Sequence, residues 1–433
     1  MDARTTALNA LTACHRQGAW SDSVLRVEIG KAKLDRRDAA LASRLCYSVL
    51  QNEMLLDWHL NRFVSGGLVR LQPVVLDILR LAVCQIILMD KIPASAAVNE
   101  AVKQAKRLAN DRAAGLVNGV LRNMLRKQPL EEPTDLAVKY SHPQELTKLL
   151  QDTFGEQTEA LLACHNGIPP TTIQCNTLLT TTSRLAQSLE EAGVTWTPHA
   201  WLPNCLEISG TGNLELLQAY QDGWFYVQDA AANLAVRCAG LKPGMRVLDC
   251  CAAPGGKTFA AAIQMENEGR ITSCDIHEKK TERILSGARR MHMTVVDAKP
   301  FDAKTREPAW LDAMDAVICD VPCSGLGVIR KKPDIRFKDL KQTERLPALQ
   351  LEILENQANY VKPGGILLYS TCTILPRENE AVVDAFLEKH PDYQLEKLDL
   401  PEGISEDRTG MLTMLPHIHN TDGFFIAKLR RSL

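Results

Sequence analysis

The sequence predicts three successive folds: an all-α N-terminal domain, a small α+β segment, and an α/β Rossmann-like domain. Three observations lead there. The chain has 433 residues, room for about three domains at roughly 150 residues each. Residues 1–130 repeat apolar side chains at helical spacing, with little strand-like alternation. From about Asp229 onward, apolar strand patterns alternate with helical ones, which implies a parallel sheet covered on both faces.

Composition narrows the class. Hydrophobic residues are 45% and charged residues 24%, an ordinary globular balance that excludes disorder, collagen and coiled coil. No apolar run reaches the ~18 residues a membrane span needs. The longest, Ile78 to Met89, is interrupted by Arg80 and Gln85 and reads as a buried helix. The N-terminus shows no basic region followed by an apolar stretch, so no secretory signal is expected. Thirteen cysteines without regular spacing point to reduced thiols in a cytoplasm. The net charge of −2 hides an asymmetry: residues 1–130 hold 19 Lys+Arg against 11 Asp+Glu, and the remainder 31 against 41. A basic segment on an acidic body suits a polyanion partner; a solvated helical surface is the competing reading.

Taken in order, the first domain (1–130) is helical. Leu116, Val117, Val120, Leu121, Met124 and Leu125 make one apolar helix face, and Val98, Val102 and Ala105 make another. Lys103 and Arg107 lie one turn apart on the outward side of that second helix, as candidate polyanion contacts. Gln128 to Pro143 carries Pro129, Glu131, Glu132, Pro133 and Pro143 with no apolar period, so residues 131–144 read as a linker. Residues 145–225 read as an α+β adaptor: one helix from Glu145 to His165, then short strands and a helix near Ser183 to Ala192. It either positions a partner or bridges the domains. The α/β domain (226–433) has strand candidates at Arg246–Cys250, Ile271–Asp275, Thr294–Asp297, Ala316–Asp320, Gly365–Ser370 and Phe424–Lys428. Its helices are expected at Glu278–Arg289, Leu346–Asn359 and Glu378–Glu388.

The first strand of that domain ends in a small-residue loop, Cys251-Ala252-Ala253-Pro254-Gly255-Gly256-Lys257. Ligands of open α/β sheets sit at the carboxyl ends of strands, and glycines there let backbone approach them closely. The glycine spacing fits neither a P-loop nor a dinucleotide fingerprint, which leaves a nucleoside without a pyrophosphate. The second strand ends in Asp275, placed to accept ribose hydroxyls, and the third in Asp297, placed to meet an adenine amino group. Glycine loop, ribose carboxylate and third acid in that order form the pattern of S-adenosylmethionine enzymes. Each aspartate taken singly also suits a helix cap.

Two cysteines follow strand ends of the same edge: Cys323, in Asp320-Val321-Pro322-Cys323-Ser324-Gly325, and Cys372, in Ser370-Thr371-Cys372-Thr373. Most cysteines are small buried hydrophobes, and Cys84, Cys238 and Cys274 are read so. Zinc competes, because Cys319, Cys323 and the pair Cys250-Cys251 are near in sequence, but no C-x-x-C pair exists. No metal is expected.

The runs D-C-C-A-A-P-G-G-K-T, D-V-P-C-S-G and S-T-C-T-I-L-P-x-E-N-E, with Gln228-Asp229 before the sheet and Asp422-Gly423-Phe424-Phe425 near the end, resemble the RNA cytosine-5 methyltransferases over about residues 225–433. Ile92-Pro93-Ala94, Asn99-Glu100-Ala101 and Val117-Asn118-Gly119-Val120-Leu121 look like a NusB-type helical RNA-binding domain. The pairing resembles the bacterial 16S rRNA cytosine-5 methyltransferases. The resemblance implies S-adenosylmethionine as cofactor and 16S rRNA as partner, at the cytosine of position 967. No DNA and no membrane partner is expected, and the oligomeric state stays open with a monomer favoured; the same chemistry on tRNA, or a non-catalytic assembly factor, are the alternatives. It implies Cys372 as the nucleophile adding to carbon 6 of cytosine, and Cys323 as the cysteine that aids breakdown of the adduct. DNA cytosine-5 methyltransferases use the Pro-Cys cysteine instead, which here is Cys323. Asp320 would hold the base edge and border the cofactor. Lys257 would lie near the base, a phosphate or surface contact being its other reading. Between Ile329 and Arg345 basic residues predominate; Arg330, Lys331, Lys332 and Arg336 are the expected RNA contacts there, or else a solvated loop.

Overall fold

A computed structural model describes residues 2–17 and 21–433, and their contacts divide into two compact units. One runs up to Gly167 and includes the short segment Lys332–Lys338; the other comprises Ile168–Lys331 and Asp339–Leu433. Among the described residues, no helix is long and apolar enough to cross a membrane.

The first unit is helical, as its apolar periods require. Helices Arg36–Gln51 and Asp111–Arg126 begin at Asp35 and Asn110, whose side chains accept from the amides of Asp38 and Ala113 and so satisfy donors the helix leaves free. Leu8, Leu11, Leu45, Leu56, Ile78 and Leu121 meet in one core. The apolar run read as a buried helix forms Pro73–Leu88. Arg80 survives inside it by pairing with Glu53 (2.7 Å) and Asp57 (2.6 Å), since a buried charge persists only when paired. The stretch expected to be a linker contains a short helix, Leu136–Lys139, capped by Asp135. The single helix expected over 145–165 is two, Gln144–Phe154 and Thr158–His165, broken where Gly155 takes φ +53°. Both group by contact with the helical unit, which runs to Gly167. Leu146, Leu150, Leu161 and Leu162 are buried in them, and His142 Nε2 and His165 Nδ1 share a hydrogen bond (3.1 Å).

The second unit opens with an antiparallel sheet of β1 (Thr171–Cys175), β2 (Thr195–Pro198), β3 (Cys205–Ser209) and β4 (Phe225–Val227), in the order β2-β3-β1-β4. Helix Thr182–Glu191 covers one face through Leu185 and Leu189, packed on Ile173, Leu206 and Phe225. A larger sheet follows: β5 (Arg246–Asp249), β6 (Arg270–Asp275), β7 (Val296–Pro300), β8 (Met314–Asp320), β9 (Val361–Thr371), β10 (Tyr393–Leu395), β11 (Met411–Met414) and β12 (Phe424–Arg431). The order is β10-β12-β9-β8-β5-β6-β7, with β11 also on β12.

Strands β5 to β9 are parallel, but β12 runs antiparallel to β9, against the all-parallel expectation. The reason is where the chain enters: Thr421–Gly423 stands at the edge where the parallel strands end, so β12 has to run back. Helices Gly256–Gln264 and Glu278–Arg290 bury Phe259 and Ile284 on one face; Leu346–Ala358 and Glu380–Lys389 bury Leu354 and Phe386 on the other. Strand order reverses between β5 and β8, which opens the crevice such sheets use for ligands at their carboxyl edge.

Candidate active site

The glycine loop follows β5 into helix Gly256–Gln264. Gly255 takes φ +110°, and a Cβ there would lie 2.7 Å from the Phe259 ring; one on Gly256 would lie 3.0 Å from Gln228 Nε2. The loop is therefore pressed against its own helix and Gln228, which only glycine permits. At its foot the Asp249 carboxyl is wholly buried. Its Oδ2 accepts from Thr258 Oγ1 at 2.8 Å, while Oδ1 has no protein partner. Burial pushes its pKa up to about 7, against the Thr258 hydrogen bond and Lys257. A buried acceptor left open beside a glycine loop fits a polar or cationic ligand group. Asp275 ends β6, accepting from the His277 amide (3.0 Å) and paired with Lys280 (3.4 Å).

Asp297 is not at this edge. In the β6–β7 register Thr272 faces Asp297, and Asp275 faces Pro300. The third strand thus runs three residues beyond the end read from sequence. Asp297 sits early in it, more than half exposed and paired with Arg270 at 3.4 Å. Lys299 and Pro300 masked the continuation, yet β7 is an edge strand, where polar residues and proline are tolerated. The carboxylate that follows the strand end is Asp302, its Oδ1 accepting from the Lys304 amide.

The two thiols do meet: Cys323 Sγ and Cys372 Sγ are 3.1 Å apart. Parallel pairing of β8 with β9 sets Asp320 opposite Ser370, so the loops after both strands leave side by side. Asp320 accepts from Ser370 Oγ at 2.9 Å and from Lys257 Nζ at 2.7 Å. Lys257 is nearly buried, with its ammonium 4.9 Å from the Phe424 ring centre. Burial opposes that ammonium, but Asp320 outweighs it and raises the pKa.

The hydrogen bond from Cys323 holds the Cys372 thiol below its ordinary range, aided by Lys257 and opposed by burial, Asp320 and Asp422. Cys323, as the donor and also buried, is pushed well above it. The contact thus shifts the two thiols apart, Cys372 toward the more acidic side and Cys323 away from it. In contrast, burial pushes Cys84, Cys238 and Cys274 up to about 12, as suits inert core thiols.

The pair is braced from below. Glu378 Oε2 accepts from the Ser324 amide (2.8 Å) and Gln350 Nε2 (2.9 Å); Asn379 accepts from Thr371 Oγ1 (2.6 Å) and donates to Thr373 O (3.1 Å). A glycine seam closes the far side: Gly327 N donates to Cys372 O (3.1 Å), and Gly423 N donates to Gly327 O (2.8 Å).

The expected basic contacts separate. Lys103 and Arg107 are exposed on helix Ala94–Leu108, bonded to Glu100 (2.8 Å) and Thr5 Oγ1 (2.9 Å) respectively. Lys332 is exposed. Arg330 bonds Ile168 O (2.6 Å) and Asn420 Oδ1 (2.9 Å). Two expectations are overturned. Arg336 is 1% exposed, spending its guanidinium inside the helical unit on Gln51 O, Ser141 O and Asn166 Oδ1. Lys331 turns inward onto Asp229 and Asp422. The Arg336 guanidinium is consumed by buried acceptors, and the half-buried Lys331 ammonium is committed to two carboxylates.

Comparison with known proteins supplies the family. The description "16S rRNA methyltransferase RsmB/F" matches residues 238–430, the NusB family residues 1–126, and an RsmF/B-like ferredoxin-like domain residues 142–215. A probable ribosomal RNA small subunit methyltransferase B of Bacillus subtilis is 36% identical over 99% of this chain and 98% of its own. Its counterpart from Synechocystis is 34% identical over the full length of both. The chain belongs to the ribosomal RNA small subunit methyltransferase B family. It is an S-adenosylmethionine-dependent methyltransferase with a NusB-like helical front. Among solved structures, PH0851 superposes with a TM-score of 0.82 at 27% identity, covering 98% of each chain. A methyltransferase homologue from Pyrococcus horikoshii covers 69% of this chain and 98% of its own, with a TM-score of 0.61 at 24% identity, and shares the fold.

Within this rRNA methyltransferase B chain, four residues at the site had not been singled out. Glu378 and Asn379 stand inside the Cys372 motif, and two polar residues just after a proline that follows an active-edge strand are a legible signal. Ile276, 62% exposed directly after Asp275, offers an apolar face at the cofactor edge. Asp302 needed the true end of β7.

Proposed function

We propose that this chain transfers a methyl group to carbon 5 of a cytosine in 16S rRNA through a covalent adduct on Cys372, in the cytoplasm. The observation that carries the reading is the 3.1 Å contact between Cys372 and Cys323, beside the Lys257–Asp320 pair. Carbon 5 of cytosine is a weak nucleophile. Addition of the Cys372 thiolate to carbon 6 makes the ring an enamine, provided ring nitrogen 3 is held protonated; Asp320 would accept from that edge. Lys257 offsets charge on the thiolate. Bound S-adenosylmethionine supplies the electrophilic methyl group. The glycine loop from Cys251 to Lys257, the open Asp249 acceptor and Asp275 would hold it, with Asp302 in the part first given to Asp297. Methyl transfer would release S-adenosylhomocysteine; the carbon 5 proton then passes to solvent water, the 5,6 double bond re-forms, Cys372 departs as thiolate, and ring nitrogen 3 gives up its proton. Cys323, protonated and adjacent, assists that release. The base enters only when unstacked, which costs least in a loop. Lys103, Arg107, Arg330 and Lys332 remain the basic residues for the RNA.

The test is labelled methyl transfer to unmethylated 16S rRNA, with bulk tRNA as control and the product nucleotide mapped. Wild type is expected to label one 16S cytosine, Cys372→Ala to lose all label, and Cys323→Ala to be trapped on RNA. Label on tRNA alone would move the substrate; retained label in Cys372→Ala would overturn the nucleophile.

A further inference from the structure

Lys331 reads in the sequence as a phosphate contact, and the fold pairs it, half-buried, with two carboxylates. Its ammonium lies 2.8 Å from Asp229 Oδ2 and 2.9 Å from Asp422 Oδ2. The Asp422 amide donates to the same Asp229 oxygen at 3.1 Å. Asp229 Oδ1 meanwhile caps helix Ala230–Ala239 through the Ala231 amide, 3.0 Å away. One cation therefore gathers three separate segments: the exit from β4, the loop after β8 and the turn before β12. None of the three residues has a part in the chemistry proposed above.

We propose that Lys331 is a positioning residue for methyl transfer, its ion cluster with Asp229 and Asp422 holding the Gly327–Gly423 seam in place against Cys372. This rests on the cysteine chemistry proposed above. Lys331 lies four residues after Gly327, and Asp422 immediately precedes Gly423. The seam itself has no side chains to lock it: a Cβ on Gly327 would stand 2.0 Å from Gly423 O. Two backbones in such contact are held only by their hydrogen bonds, Gly423 N to Gly327 O and Gly327 N to Cys372 O, and by whatever fixes their flanks. The ion cluster fixes both flanks at once. Its cost argues for a purpose, since two buried carboxylates on one ammonium leave a net negative charge that burial penalises. That penalty shows at Asp422, whose carboxyl is pushed up to about 7 by burial and by Asp229, with Lys331 pulling it down. The cluster reaches Cys372 through that seam, and the Asp422 charge also bears on the thiol, beside those of Lys257 and Asp320.

The experiment compares Lys331→Met and Lys331→Arg in the full chain by two readouts. One is methyl transfer to 16S rRNA, with kcat and KM separated and RNA binding followed against salt. The other is the rate at which iodoacetamide alkylates Cys372 at pH 7, read by peptide mass spectrometry, which needs no RNA. Lys331→Met is expected to lower kcat at least about ten-fold, with KM for cofactor and RNA within about two-fold. It is also expected to slow Cys372 alkylation at least about three-fold, as the thiol loses its arrangement against Cys323 and Lys257. Lys331→Arg is expected to restore most of both. Unchanged kcat with weaker RNA binding and a salt slope reduced by about one would make Lys331 a phosphate contact and overturn the proposal. Unchanged kcat and unchanged alkylation would overturn it as well. If Lys331→Met does not fold, Asp422→Asn, of the same shape, is read by the same assays with the same expected direction. If wild type transfers no methyl group to any RNA, the cysteine chemistry fails, while alkylation still decides whether Lys331 positions Cys372.

Discussion

Replacing Arg336 by leucine separates a structural arginine from an RNA contact. The guanidinium donates to Gln51 O (2.8 Å), Ser141 O (3.0 Å) and Asn166 Oδ1 (3.0 Å), with no carboxylate among these bonded partners. Gln51 ends helix Arg36–Gln51, so its carbonyl has no helical donor of its own. Removal orphans three acceptors, each costing ~1–3 kcal/mol when buried, or about 3–9 kcal/mol together. Against that stands relief of a buried charge; burial lowers this arginine to about 9. The net loss should be about 2–4 kcal/mol, confined to the helical unit. Because two units unfold, a single global transition would not report it cleanly. Hydrogen exchange of peptides over 36–51 and 136–166 would. Amide exchange there should quicken roughly 30- to 1,000-fold, from about 1.4 kcal/mol per factor of ten. Unchanged protection with a salt dependence of RNA binding reduced by about one phosphate would refute the reasoning.

Asp297→Asn should leave the Kd for S-adenosylmethionine within about two-fold of wild type, and Asp275→Asn should weaken it at least about ten-fold, by titration calorimetry; the reverse order would restore Asp297 to the cofactor. Asp249 binds protons more tightly folded (about 7) than its ordinary value of 3.8, so the apo protein loses stability as pH rises between those values. Asp249→Asn should therefore raise the apo unfolding free energy above pH 7, by up to about 4 kcal/mol, and gain nothing near pH 4, as read by denaturant melts; a pH-independent effect would refute the assignment. The same linkage makes binding of the cationic cofactor tighten as pH rises to about 7, more than that of neutral S-adenosylhomocysteine. Gly327→Ala puts a methyl group 2.0 Å from Gly423 O and should cost about 2–4 kcal/mol with most methyl transfer, and a fully active, equally stable variant would contradict the seam.

Strand ends and glycine loops were legible because their signals are local. An apolar strand ending at Asp249, followed by small residues and a helix start, is written within about a dozen positions, and Asp320, Cys323 and Cys372 are found in the same way. Helix Pro73–Leu88 and the apolar faces of Ala94–Leu108 and Asp111–Arg126 follow from spacing alone. The misplaced end of β7 shows the limit, since its last residues are held by pairing to β6 rather than by their own propensity.

By itself, then, the sequence determined a helical front followed by an α/β sheet, the carboxyl edge of that sheet and the two cysteines that lie on it. Tertiary structure alone decided that the thiols touch, that β12 runs back along β9, and what becomes of each basic residue. A lysine or arginine looks the same in sequence whether it meets solvent, RNA or a buried acceptor. The acceptors that claim Arg336 and Lys331 include residues 285 and 102 positions away, and only the fold brings them within reach.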